Sequence, residues 1–191
     1  MNKMQEVLLE KNIIIITGNL TADTLSYVHE AIVHLLLKPI TDITVVISTG
    51  GGNNGMEIYD ALALYPGKKI GLVVNYAQSA GALVLQACDQ RLATPHSKIL
   101  IHHGTTGEVK YDILMDPKRT EQFILDSRNL IEAKYKIFMS RTKRTREEVS
   151  TLCFQDRNLS PEEAIEFGLI DRIWSGSLPI SETGLHWEQQ T

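Results

Sequence analysis

One serine in this chain of 191 residues stands where a nucleophile can work. Ser79 lies between a β-rich run, Lys69 to Val74, and a small-residue helix, Ala80 to Cys88. Its neighbours Ala77, Ala80 and Gly81 are small enough for a sharp strand-to-helix turn and for an approaching substrate. The helix behind it offers unpaired N–H groups and a positive dipole end to an oxyanion. The same residues also fit a plain serine N-cap on a packed helix. A general base must come from elsewhere in the chain. His102 and His103 close a buried β-run, Ser97 to His102, and open a loop; ends of parallel strands carry reactive residues in open α/β sheets. Strand side chains alternate in direction, so only one of the two can face Ser79. His29 and His34 fall on the first helix, His96 follows Pro95 in a loop, and His186 is in the tail. Asp156 stands in Phe154-Gln155-Asp156-Arg157-Asn158-Leu159, just before a capped helix, and by itself reads as a solvated loop aspartate.

Gly50-Gly51-Gly52-Asn53-Asn54-Gly55 matches the dinucleotide pattern G-x-G-x-x-G after a strand and before a helix. The acidic residue that would hold a ribose is missing after Val73-Val74-Asn75, and no Gly-Lys-Ser/Thr follows to make a P-loop. The other use of such a turn is as a source of backbone donors aimed at an oxyanion, with no side chain in the way. Cys88, His96, His102 and His103 fit no regular zinc spacing. No metal or cofactor is expected.

The elements that must position these residues read as alternating strands and helices. Ile13 to Thr17 and Ile43 to Ser48 are short β-branched runs. Thr21 to Lys38 is an amphipathic helix ended by Pro39, and Met56 to Tyr65 is a second helix. Residues 49–55 read as a glycine turn, and Gln90 to Ala93 as a short strand. The strands are apolar throughout rather than alternating, which argues for parallel pairing with both faces covered, an α/β architecture. Pro117 to Thr142 is one long helix. Its apolar pairs Phe123-Ile124, Leu130-Ile131 and Ile137-Phe138 recur every seven residues, and its outer part reads either as a subunit contact or as core packing. Thr145 to Leu152 is a helix. Ser160-Pro161-Glu162-Glu163 opens another with a capping box, and Leu169 to Trp174 is a last strand.

Composition bounds the function. The chain is 43% hydrophobic and 22% charged, as in an ordinary globular protein, and its length suits one domain. Nineteen Lys and Arg against 23 Asp and Glu give a net charge of −4, which offers no case for nucleic acid or an anionic membrane. Two cysteines without a CxxC fit a reducing cytoplasm. The first twelve residues are neither a signal nor a transit peptide, and no run is long enough to span a membrane.

Five motifs then follow in order: Ser48-Thr49-Gly50-Gly51, Gly55-Met56-Glu57-Ile58-Tyr59-Asp60, Ala77-Gln78-Ser79-Ala80-Gly81-Ala82, Ile99-Leu100-Ile101-His102, and Asp156 through Ala164 with Gly168-Leu169-Ile170-Asp171. Over residues 12–174 this series resembles the proteolytic subunit of the Clp protease (the ClpP family), within the Clp/crotonase superfamily. The resemblance implies stacked ββα units, a mostly parallel sheet and a protruding long helix. It implies one peptidase domain over 1–191, with a head at 12–103 and 153–174, a handle helix at 117–142 and a polar tail at 175–191. It makes Ser79 the nucleophile of a serine endopeptidase, His102 the base, Asp156 the residue that orients the histidine, and the N–H groups of Gly51 and Ala80 the oxyanion hole. Peptide or unfolded protein is the implied substrate, with a homo-oligomeric ring, or stacked rings, and an AAA+ unfoldase as partners. Thr49 replaces the family's proline, and Phe154-Gln155 replaces an Asp-Arg pair that makes contacts between rings. The segment before Ile13 is short, which argues against unfoldase docking. Phage head-maturation proteases and other stand-alone relatives share the domain. Three other readings stand beside this one: a crotonase-type enzyme acting on coenzyme A thioesters, suggested by Ala87-Cys88-Asp89-Gln90-Arg91-Leu92-Ala93; a non-catalytic ring-forming homologue; and a serine–lysine dyad.

Overall fold

A computed structural model describes residues 1–105 and 107–178. The elements run α1 (Lys3–Leu9), β1 (Ile13–Leu20), α2 (Ala22–Leu36), β2 (Ile43–Gly52), α3 (Gly55–Ala63), β3 (Lys69–Gln78), α4 (Ala80–Leu85), β4 (Gln90–Ala93) and β5 (Lys98–Leu100). They continue with α5 (Tyr111–Met115), α6 (Pro117–Thr142), α7 (Arg146–Gln155), α8 (Pro161–Phe167) and β6 (Arg172–Ile173). His186 and most of the polar tail lie outside the described residues.

The strands pair in parallel in the order β1-β2-β3-β4-β6, and β5 pairs with the far end of β3. The first four strands are thus adjacent in space as they are in sequence. Parallel strands need a crossover, and α2, α3 and α4 supply the first three. Those helices pack against one another, α2 on α3 and α3 on α4. The main core lies between them and the sheet. Ile14, Ile16, Val45, Ile47 and Val73 from the strands meet Val28, Ala31, Ile58, Leu62 and Val84, all fully buried. A second, smaller cluster forms from Ile70, Leu72 and Leu92, with Val74 and Trp174 against it. The apolar strand pattern has this cause.

Local chemistry sets the helix ends. Thr21, Thr145 and Ser160 each cap a helix with a reciprocal capping box, and Pro161 takes the first position of α8. Asp116 caps α6 by accepting from the N–H groups of Lys118 and Arg119; Lys143 ends it in the left-handed conformation, φ 61°.

Several features differ from the sequence expectations. A seven-residue helix, α1, precedes β1 and buries Leu9; Asn2 and Gln5 form its capping box. The short helix α5 lies before the long one. The glycine run is no turn, for β2 continues through Gly52, pairing Gly51 with Asn19 and Gly52 with Leu20. A Cβ on Gly52 would stand 2.4 Å from the Leu20 carbonyl oxygen. That glycine serves close strand approach, which accounts for the dinucleotide-like spacing without a phosphate.

Candidate active site

β3 runs on past Val74 and ends at Gln78, one residue before Ser79. Its last residues pair with β5, Gln78 opposite Leu100, and the Ser79 N–H donates to the Leu100 carbonyl at 2.8 Å. The chain must then turn at once into α4. Ser79 makes that turn at φ 54°, ψ −120°. Positive φ is uncommon outside glycine and costs on the order of 1–3 kcal/mol, held only where surrounding structure over-determines it. Packing behind the turn does so. A Cβ on Gly81 would stand 2.5 Å from the Thr49 methyl carbon, and one on Gly55 would stand 2.5 Å from the Ala80 Cβ. The small residues around Ser79 let α4 press onto β2 and α3. The Ser79 side chain makes no cap hydrogen bond to α4, so the plain N-cap reading has no hydrogen bond to support it.

His102 follows β5, and its Nε2 lies 2.8 Å from Ser79 Oγ. Its Nδ1 lies 3.2 Å from Asp156 Oδ1. The serine hydroxyl donating to Nε2 requires the proton on Nδ1, facing the carboxylate. Asp156 occupies the C-cap of α7 in the left-handed conformation, φ 44°, ψ 47°. Two ties hold its loop against the sheet. Leu159 and Ile99 exchange backbone hydrogen bonds at 2.7 and 3.2 Å, and Gln78 Nε2 donates to Asn158 Oδ1 at 2.5 Å. The residue beside the serine is thus bonded to the loop that carries the aspartate. This contact left no mark in the sequence, because Gln78 and Asn158 are 80 positions apart.

His103 points away into a different set of contacts. Its Nε2 bonds the Tyr135 hydroxyl on α6, and that hydroxyl donates to Ser150 Oγ on α7 at 3.0 Å. Its ring meets Phe154 edge-on, centroids 4.5 Å apart, and Tyr135 at 5.9 Å. Desolvation first, then the charges of His102 and Lys134, hold its pKa below the ordinary value. One histidine of the pair reaches the serine, and its neighbour joins the long helix to α7.

The two expected oxyanion donors differ in their surroundings. Ala80 opens α4, where an N–H has no intrahelical acceptor. Gly51 lies against the serine: a Cβ there would stand 2.8 Å from Ser79 Cβ and 3.3 Å from the Ala80 nitrogen. Its N–H donates to the buried hydroxyl of Thr49 at 3.1 Å.

Two of the remaining candidates have structural surroundings. His34 bonds Glu10 at the surface. Cys88 is fully buried and packs against Gly71, and burial pushes its thiol up to about 12, which disfavours a thiolate ligand. Among the described residues no group of three or more His, Cys, Asp or Glu is placed to hold a metal ion. In the crotonase-like stretch, Asp89 accepts from the Lys69 N–H, while Arg91 bonds Asp171, Gln86 and the Gly168 carbonyl. No helix of the described residues is long and apolar enough to cross a membrane.

The fold is α/β with a mostly parallel sheet and a long helix, and it brings a serine, a histidine and an aspartate into sequential contact. The family model described as Clp protease matches residues 1–177, and the chain belongs to the Clp protease family.

Proposed function

We propose that this protein is a serine endopeptidase that cleaves peptides or unfolded protein inside an oligomeric chamber. Membership of the Clp protease family supports a peptidase in general. The observation that carries the serine mechanism is the unbroken contact chain from Ser79 Oγ through His102 to Asp156, 2.8 and 3.2 Å.

In this mechanism Ser79 Oγ attacks the peptide carbonyl carbon while its proton passes to His102 Nε2. Asp156 keeps the imidazole in the required tautomer and stabilises the imidazolium. The negative oxygen of the tetrahedral intermediate accepts from the Ala80 and Gly51 N–H groups. The intermediate collapses with breakage of the C–N bond, and the amine leaves with the proton that His102 held. Water then attacks the acyl-enzyme, gives a proton to His102, and the ester bond breaks as Ser79 regains its hydrogen. Asp156 is well exposed at 64% in the single chain. Enclosure in a chamber would remove water from it and strengthen its hold on the imidazole. Subunit contacts through α6, whose first half leaves Ile124 and Leu125 about half exposed, would supply that enclosure.

The test treats the purified protein and a Ser79→Ala variant with a fluorophosphonate probe and runs both on a sizing column. Wild type alone should be labelled, and both should elute as a ring-sized oligomer. An intact oligomer that takes no label would point to the crotonase-type or the non-catalytic reading.

A further inference from the structure

Thr49 is fully buried, and one of its two side-chain hydrogen bonds reaches the site. Its hydroxyl donates to the Gly18 carbonyl at 2.5 Å, where β1 bulges at a glycine with φ 72°. With its proton committed there, the oxygen turns a lone pair to the Gly51 N–H at 3.1 Å. Its methyl group faces Gly81 of α4 closely enough that no side chain fits between them. Thr49 is therefore pinned by β1 on one side and α4 on the other. The donor it occupies belongs to the residue that touches Ser79.

We propose that Thr49 is a positioning residue that withholds the Gly51 N–H from the site until negative charge develops there. The inference rests on the serine-peptidase reading and concerns how its oxyanion is bound. A hydroxyl and a substrate carbonyl are acceptors of similar strength, so a ground-state substrate gains little by drawing the N–H away from Thr49. An oxyanion is a stronger acceptor, since hydrogen bonds to charged groups are about twice as strong as neutral ones. The exchange of partners is then favoured at the transition state and not before, which is the condition for a contact that accelerates reaction rather than tightening substrate binding. The exchange needs a small turn of the peptide unit that carries the Gly51 N–H. Gly51 and Gly52 sit at φ 112° and 149°, and with Gly50 before them the peptide units can turn without a Cβ in the way.

The test compares Thr49→Val, which keeps the shape and loses the acceptor, with Thr49→Ser, which keeps the hydroxyl. Two readouts are taken on the intact oligomer: the rate of fluorophosphonate labelling at Ser79, and hydrogen exchange at the Gly51 amide, read by fragmentation mass spectrometry. In Thr49→Val the Gly51 amide should exchange at least about tenfold faster while Ile47 in the same strand stays protected, and labelling should rise about three- to tenfold, the worth of one released hydrogen bond. Thr49→Ser should restore both wild-type values. Unchanged Gly51 protection in Thr49→Val would overturn the proposal. So would a deprotected Gly51 with labelling equal to or slower than wild type, because Thr49 would then be supporting the donor. Absence of label in every protein that retains Ser79 would bring down the serine reading itself, and the exchange data would still report whether the Thr49–Gly51 bond exists.

Discussion

At the scale of single residues, the site depends on groups that are absent as much as on those present. Gly51 has φ 112°, and a methyl group there would lie 2.8 Å from the Cβ of Ser79. Ser79 is held at its backbone by the Leu100 carbonyl, so the clash must be relieved at its side chain. Gly51→Ala should therefore push the serine off His102 and lower the fluorophosphonate labelling rate by about a hundredfold, the scale of loss expected for a misplacement near 1 Å. Circular dichroism should show the fold retained, since the clash is local. A variant that labels at the wild-type rate would show that the turn can absorb a side chain. Asp156 poses the opposite case. It is an ordinary loop aspartate by sequence and gains its partner from the left-handed cap of α7.

At the scale of elements, one hydroxyl is among the groups that join α6 to α7, beside the Arg146–Glu132 ion pair. Tyr135 is 3% exposed, and its oxygen bonds His103 on one side and Ser150 on the other. Arg146 lies over its ring, 5.2 Å from the centroid. Because His103 follows His102 directly, and Phe154 on the His103 ring precedes Asp156 by two residues, this contact lies beside the His102–Asp156 pair. Tyr135→Phe keeps the ring and removes the hydroxyl, leaving two polar groups unpaired in a half-buried place. A urea titration should show a loss of about 1–3 kcal/mol with an unchanged slope. No loss would mean that water satisfies both groups. The bounds of α6 itself, Pro117–Thr142, agree with the sequence reading, because Asp116, Pro117 and the terminal polar residues signal its ends locally. The shorter α1 and α5 escaped it, for neither carries a long apolar period.

At the scale of the whole molecule, the long helix is unevenly covered. Its buried residues are Tyr135, Phe138 and Thr142, all in its second half. Leu125 and Leu130 are each 50% exposed and Ile124 43%. Core packing accounts for one end of the helix and leaves the other for the proposed subunit contact. A charge at that end should break it: Leu125→Glu should move the protein to a smaller species on a sizing column with its circular dichroism unchanged. Elution unchanged from wild type would place the contact elsewhere.

Apart from α1 and α5, the order of strands and helices was legible in the chain, as were the α/β class and the ends of α6, because each rests on neighbours within a few residues: a capping box, a proline, a β-branched run. The same is true of Ser79, whose small neighbours announce a tight turn. Strand alternation left His102 and His103 open and only the family resemblance pointed to His102; tertiary structure decided how close His102 comes to the serine, that the glycine run is strand rather than turn, and that the Gly51 N–H is held by Thr49. Each depends on the register between segments tens of residues apart. Serine-to-histidine distance follows from how β5 pairs with β3, and the glycine conformation from how close β1 comes to β2. A one-residue slip in either pairing would turn the same side chains to the opposite face.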